Sequence, residues 1–233
     1  MVAFFLHFLM LMNLLGQEKD PLITIILPTF NRKPYLRFCI QSVISQTFSD
    51  WELMIVDDGS NDGSWEVIQS YIDQYPNIQG IRQRNKGLAL ARNTGIQISR
   101  GIFITFIDSD DRYKKNHLEK RIHFMVHHPE IDLIHGGVEI LGDPYVVDKN
   151  NLQQKIHLNN CPIGGTIFCK REVLRALNGF NNIPYGEDSD LVERAEQKFL
   201  VEKVHFPTYT YDRTTPGSIT NILLQKQFIQ SSY

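Results

Sequence analysis

Redox, zinc and nucleic-acid chemistry find little support in this composition. The chain has three cysteines, Cys39, Cys161 and Cys169, an odd number with no C-x-x-C pair among them. That spacing offers neither a zinc framework nor a redox dithiol, and it fits a reducing compartment. Positive charge is not in excess: 24 Lys and Arg stand against 26 Asp and Glu, a formal net charge of −2. With no basic stripe, there is no electrostatic reason to expect nucleic acid as a partner. Internal repeats and low-complexity segments are absent. The eight histidines are scattered and read as surface residues, with His127-His128 at the end of an expected helix and no third ligand near it in sequence.

The first sixteen residues, MVAFFLHFLMLMNLLG, are strongly apolar but carry His7 and Asn13. They fall short of the roughly 20 residues that span a bilayer. They also lack the basic start and small-residue cleavage site of a secretory signal. Three readings stay open: a membrane-surface helix, an added packing helix, or residues upstream of the true start, with Met10 and Met12 as later candidates. The expected location is the cytoplasm, with peripheral contact at the inner face of a membrane left open by this segment.

What is present is an ordinary globular composition, 42% hydrophobic and 21% charged over 233 residues, enough for one large domain. From Pro21 onward, apolar runs alternate with helical patterns, the signature of βαβ units and a largely parallel sheet. ITIILP, ELMIVD, NIQGIRQ and IFITFID read as strands, and the segments opening at Pro34, Ser64 and Gly87 read as helices between them. A further helix carries Leu118, Ile122 and Met125 on one face, followed by a short strand around Ile131 to Ile134. Between Gly136 and Gly186, frequent Gly, Asn and Pro suggest loops plus a helix near Arg171 to Leu177, shaping an acceptor side. The expected organisation is an apolar segment over 1–20, an α/β domain over 21–221 and a helix or tail over 222–233.

The polar residues of this pattern gather at strand ends, where open parallel sheets bind ligands. Strand one ends in Pro28-Thr29-Phe30-Asn31, strand two in Asp57-Asp58-Gly59-Ser60, and the fourth strand in Asp108-Ser109-Asp110-Asp111. Carboxylates that close repel one another, so the last group calls for a compensating positive charge. In extended chain Asp108 and Asp110 project to the same side at a spacing of about 6.6 Å. Hard oxygen ligands select Mg2+ or Mn2+, with phosphate oxygens filling the remaining positions, which points to a diphosphate ligand. Two rival readings are weaker. The run from Asp58 imitates a calcium loop but has Gln69 where the bidentate Glu belongs, and Asp110 is followed by Asp111 and Arg112 rather than the small residue of an aspartyl-phosphate phosphatase.

Six segments in order make the pattern specific: ILPTFNR, SQTFSDWELMIVDDGSNDGS, NKGLALARNTGI, FIDSDD, IGGTIFCKREVL, and NGFNN followed by GEDSDL. Together, from about Pro21 to Thr220, they resemble the inverting nucleotide-sugar glycosyltransferases of family 2. The resemblance implies the GT-A fold, a mostly parallel central sheet flanked by helices, and transfer of a sugar, UDP-linked by expectation, to a glycan, lipid-linked or other hydroxyl acceptor. It implies Pro28 and Phe30 in the base pocket, Asp58 accepting the imide N–H of a uracil-like base, and Arg92 contacting base or diphosphate, with a surface role as the alternative. Asp57 has a structural alternative, holding loop amides of its turn. Asp108 is expected near the ribose or in the metal's outer shell, Asp110 as the direct ligand of Mg2+ or Mn2+, and Asp111 facing solvent.

The acceptor hydroxyl also needs a base. GEDSDL offers Glu187, Asp188 and Asp190, and the resemblance favours Asp188, with Glu187 second and a helix-start role as the structural alternative for both. One departure stands out: where many members carry a His shortly before Gly-Ser near the C-terminus, YDRTTPGS has Arg213, Thr214 and Thr215. Either Arg213 supplies positive charge to the diphosphate or metal affinity is weaker. From another class, a catalytically silent nucleotide- or sugar-binding module with the same fold remains the alternative.

Overall fold

A computed structural model describes residues 20–151 and 153–216. The apolar segment up to residue 19, the Gly217-Ser218 pair and the expected tail over 222–233 lie outside the described residues. Chain order is β1 (Ile23–Thr29), α1 (Lys33–Ile44), β2 (Trp51–Asp57), α2 (Ser64–Ile72), β3 (Ile78–Arg82), α3 (Leu88–Ile98), β4 (Phe103–Phe106), β5 (Arg112–Tyr113) and α4 (His117–His127). There follow β6 (Leu133–His135), β7 (Val138–Leu141), β8 (Tyr145–Val147), β9 (Lys155–His157), β10 (Phe168–Lys170), α5 (Arg171–Ala176), α6 (Glu187–Glu196), β11 (Val201–Lys203) and β12 (Tyr209–Asp212).

The central sheet has seven strands in the order β11-β6-β10-β4-β1-β2-β3. The pairs among β1 to β4 are parallel, while β10 runs antiparallel to both β4 and β6. β1 and β2 are buried along their whole length. Alternate side chains enter opposite cores: Ile23, Ile25 and Leu27 pack with α1, α2 and α4, and Ile26 packs with α3, α5 and α6. Burial on both faces explains why these strands read as unbroken apolar runs rather than as alternation. Pro34 opens α1 in its first turn, where its missing N–H has no cost.

Two expectations need correction here. The stretch from Gly136 to Gly186 holds the expected helix, α5, but also β7 to β10 where only loops were expected. These strands have three or four residues each, too short for a period to show, and β7 and β10 pair with partners distant in sequence. β7 and β5 flank β12 in a small second sheet, and β8 pairs with β9. Nor are all histidines on the surface: His117 is fully buried and stacked on Tyr113 at 3.7 Å, and His135 is buried too. Burial, followed by Arg121, holds the His117 imidazole well below its usual range.

Candidate active site

Because β1, β2 and β4 are parallel, their C-terminal ends meet on one edge of the sheet, and a crevice of about 730 Å³ opens there. The first half of the chain lines it with Pro28, Phe30, Asp58, Arg92, Asp108 and Asp110, and the second half with Val146, Val147, Ile163, Tyr185, Asp188 and Arg213. The three polar strand ends therefore converge, together with the GEDSDL segment some 80 residues further along the chain.

On the sheet side, Phe30 is 44% exposed, a large aromatic face at the mouth of the crevice. Asp58 is buried and already occupied: its Oδ1 accepts from Gln83 Nε2 at 2.7 Å and from the Lys86 amide at 2.9 Å, and its Oδ2 accepts from the Gly87 amide at 2.8 Å. It thus shapes the loop that leads into α3. Asp57 accepts from the Ser60 amide at 3.0 Å and faces Arg82 Nε at 3.2 Å, as its structural reading expects.

The acidic run after β4 is a turn, closed by the Asp111 amide donating to the Asp108 carbonyl at 3.0 Å, so the extended-chain spacing of Asp108 and Asp110 does not apply. Asp111 does not face solvent. It is 1% exposed, accepting from the Tyr209 hydroxyl at 2.5 Å and from the Asp212 amide at 2.8 Å. The same hydroxyl accepts from the Asp108 amide at 3.3 Å. One phenol on β12 therefore ties both ends of the turn. Burial, then Asp108 and Asp110, pushes the Asp111 carboxyl well above its usual range. An acidic group in that state suits a site of anchoring, not solvation.

Asp110 differs. Its carboxylate is 15% exposed, lines the crevice and has Arg32 Nε at 3.9 Å. Burial, then the neighbouring Asp108, lifts it to about 6. A carboxylate that is expensive to ionise in the crevice becomes favourable once a hard cation reaches it, so Asp110 fits Mg2+ or Mn2+. Among the described residues no three His, Cys, Asp or Glu side chains converge as a ready cage. The fit is therefore to an ion that keeps few protein ligands and completes its shell from phosphate and water.

At the base of the crevice, Arg92 on α3 is neither on the surface nor splayed toward solvent. It is 1% exposed, with Nη2 donating to Asp108 Oδ1 at 2.8 Å and Nη1 donating to Asp188 Oδ1 at 2.7 Å and to Glu187 Oε1 at 3.3 Å. The Phe180 and Phe106 rings lie 5.1 and 5.9 Å from its guanidinium carbon. Burial pulls this guanidinium down, but Asp188, Asp108 and Glu187 outweigh it and raise it above its ordinary value. The other Asp188 oxygen accepts from the Gly164 amide at 2.7 Å. Burial pushes Asp188 up to about 7 despite Arg92 beside it, with Glu187 and Asp108 adding to the rise. Asp190 has a structural task, accepting from Asn181 and from Arg194 four residues on. Glu187 and Asp188 also open α6, so the helix-start reading and the site reading describe the same residues.

Arg213 is buried and donates through Nη1 to the Asp143 carbonyl at 2.6 Å and to the Tyr145 carbonyl, bracing the segment between β7 and β8 while its side chain lines the crevice. Sequence reasoning missed three residues. Tyr209 is one. The others are Gly164 and Gly165, where an added Cβ would stand 2.7 Å from both Arg92 and Asp188, or 2.0 Å from the Tyr209 ring. The adjacent glycines in IGGT were the available signal, since paired glycines mark a close approach of backbone.

Three comparisons bear on these observations. The family model described as Glycosyl transferase family 2 matches residues 24–175. A Bacillus subtilis (strain 168) protein named as a teichuronic acid biosynthesis glycosyltransferase, TuaG, is 38% identical over 108 residues, 46% of this chain and 42% of that protein. WfgD of Escherichia coli, named UDP-Glc:alpha-D-GlcNAc-diphosphoundecaprenol beta-1,3-glucosyltransferase, is 36% identical over 149 residues, covering 62% of this chain and 58% of its own. The chain thus spans about half the length of these relatives. Among solved structures, S. aureus TarS 1–349 in complex with UDP-GlcNAc superposes with a TM-score of 0.70 over 85% of this chain and 60% of that one. At 21% identity that likeness speaks for the fold.

Proposed function

The chain belongs to glycosyl transferase family 2, and from that premise we propose that it moves a sugar from a nucleoside diphosphate donor, UDP-linked, to a hydroxyl acceptor with inversion. The observation that carries this reading is a single crevice lined by two chemistries: the acidic turn with Asp110 and, joined to that turn's Asp108 through Arg92, the carboxyl of Asp188, which burial raises.

The donor's base would lie against Phe30 and Pro28 near Asp58, its ribose near Asp108, and its diphosphate toward Asp110. A Mg2+ or Mn2+ ion on Asp110 would supply positive charge to the departing diphosphate. Asp188 takes the proton of the acceptor O–H. As that bond breaks, the acceptor oxygen bonds to the anomeric carbon, and the electron pair of the old C–O bond leaves on the diphosphate. A direct displacement of this kind inverts the anomeric centre. A base titrating near the working pH balances availability against driving force, which is where burial sets Asp188.

The acceptor wall is apolar in Val146, Val147 and Ile163, with Tyr185 beside them, a lining suited to a glycan ring face or the first units of a lipid-linked acceptor. No helix among the described residues is long and apolar enough to cross a membrane. The test is a panel of UDP- and GDP-sugars with Mn2+, followed by thermal shift and donor hydrolysis on the full chain. UDP-sugars should raise the melting temperature in a cation-dependent way. A panel in which no sugar nucleotide binds with or without cation would sink the proposal.

A further inference from the structure

We propose that Arg92 is the positioning residue of this site: one buried guanidinium fixes Asp188 on the acceptor wall with Nη1 and Asp108 on the donor wall with Nη2. The inference rests on the reading of Asp188 as the base. It goes beyond that reading by giving the two walls a shared mechanical element.

The geometry leaves Arg92 little else to do. It is 1% exposed and both of its terminal nitrogens are engaged at 2.7 to 2.8 Å, so almost no surface remains for direct contact with a phosphate. Its planar fork is what allows one side chain to serve two carboxylates in fixed directions, which a lysine ammonium does not reproduce. The packing enforces the arrangement. Phe106 and Phe180 flank the guanidinium, and Gly164 has no Cβ because one would strike Arg92 Nη2 and Asp188 Oδ1 at 2.7 Å. With Oδ1 held by Arg92 and Oδ2 by the Gly164 amide, the Asp188 carboxylate has a fixed plane, and the 21% of its side chain left exposed opens on the crevice.

The charged groups facing Asp188 are Arg92 from α3, Glu187 from its own helix and Asp108 from the turn after β4, with the Gly164 amide as the remaining donor. Of these only Arg92 favours the ionised base through charge. A cation within hydrogen-bond reach lowers a carboxyl by roughly one to three pH units. Removing it should leave Asp188 protonated at neutral pH, idle even with donor in place.

The test combines a substrate-free readout with kinetics on the full chain. Carboxyl resonances of 13C-labelled aspartate are titrated, with the Asp188 signal identified by its loss in Asp188→Asn. In Arg92→Gln the Asp188 midpoint should rise by at least about one pH unit, and in Arg92→Lys by less. The acidic limb of kcat should follow, so that raising the pH restores much of the roughly tenfold or greater loss at pH 7. In Arg92→Lys kcat should fall by more than Mn2+-dependent UDP affinity does, since Asp108 at the ribose loses its fixed partner too but is one donor contact among several. An unmoved Asp188 midpoint in Arg92→Gln overturns the proposal, as does a fall of UDP affinity in Arg92→Lys at least as large as the fall of kcat, which would mean that Arg92 serves the donor and not the base. Should the Gln variant not fold, the Lys variant decides by the same midpoint, raised or unmoved. If the midpoint moves but the wild-type chain turns over no sugar nucleotide, the transferase reading has failed and the hold of Arg92 on Asp188 stands.

Discussion

The two walls of the crevice are built by different means. The donor wall comes from the ends of β1, β2 and β4, strands of four to seven residues whose backbones are locked in a parallel sheet with both faces covered. The wall proposed for the acceptor comes from the short strand β8, the loop ahead of β10, the start of α6 and the turn after β12, held in place by side chains that reach backbone: Arg213 on the Asp143 and Tyr145 carbonyls and Tyr185 on the Val147 carbonyl. The first wall is rigid because of its ladders. The second depends on individual long-range ties, each of which a single substitution removes. Such a division suits an enzyme that holds a constant donor on one side and a variable acceptor on the other.

The largest effect expected from breaking this division separates binding from turnover. Asp188→Asn keeps size and most hydrogen bonding but takes no proton, so transfer should fall by roughly 10²- to 10⁴-fold while Mn2+-dependent UDP affinity survives. Asp110→Ala should weaken both, since the cation proposed for Asp110 would meet the diphosphate in the ground state as well as during bond breaking. Calorimetric UDP binding beside single-turnover transfer reads both. A fully active Asp188→Asn would move the role of base to Glu187, and UDP affinity undiminished in EDTA would remove the metal from the acidic turn.

Next in size is the seam where the walls touch. Gly165 lies so close to Tyr209 that a methyl group would enter its ring, and Tyr209 holds the acidic turn. Gly165→Ala should lower stability by about 1–3 kcal/mol or more through overpacking and also weaken UDP binding, although Gly165 touches no ligand in the proposed pose. Urea denaturation and UDP calorimetry should change together. Weakened folding with unaltered affinity would show that the ring does not govern the turn. Tyr209→Phe is the gentler form. It strips one donor from the buried Asp111 carboxylate, leaving the Asp212 amide, and should cost about 1–2 kcal/mol. Wild-type stability in this variant would mean that Asp111 is neutral and needs no such donor.

The same division decides what was legible in the sequence. The βαβ units of the first half were readable because ITIILP and ELMIVD are long apolar runs between clear helical periods, and the position of ligands at parallel strand ends then follows from topology. Asp110, Asp58 and Asp188 could be brought to one crevice from motif order. The contacts between them could not. Asp111 was assigned to solvent because its partner Tyr209 is 98 residues away in a four-residue strand. Arg92 showed only as part of an Ala-Arg-Asn segment on a helix, and nothing local indicates that its fork spans two carboxylates, one of them 96 residues away. Short strands and long-range polar ties have no period to read.

The smallest expected effect concerns the acceptor wall's own stability, and it follows from the sign of one titration. An unfolded aspartate titrates near 4, whereas burial holds folded Asp188 near 7. Between those values the folded chain binds the Asp188 proton more tightly than the unfolded chain does. This contribution to stability is present below about pH 4 and is lost as the pH rises to about 7. Asp188→Asn has no such proton. Its stability relative to wild type should therefore improve across that window, by on the order of 1 kcal/mol once weaker bonding to Arg92 and partial solvation are allowed for, and level off above it. Urea midpoints of the two proteins at pH 4.5, 6 and 7.5, without cation, measure the trend. A constant difference would mean that Arg92 outweighs burial and that Asp188 is a fully ionised carboxylate at every working pH. The base would then be strongly held but weakly basic, and the acceptor wall would resemble the donor wall more than its geometry suggests.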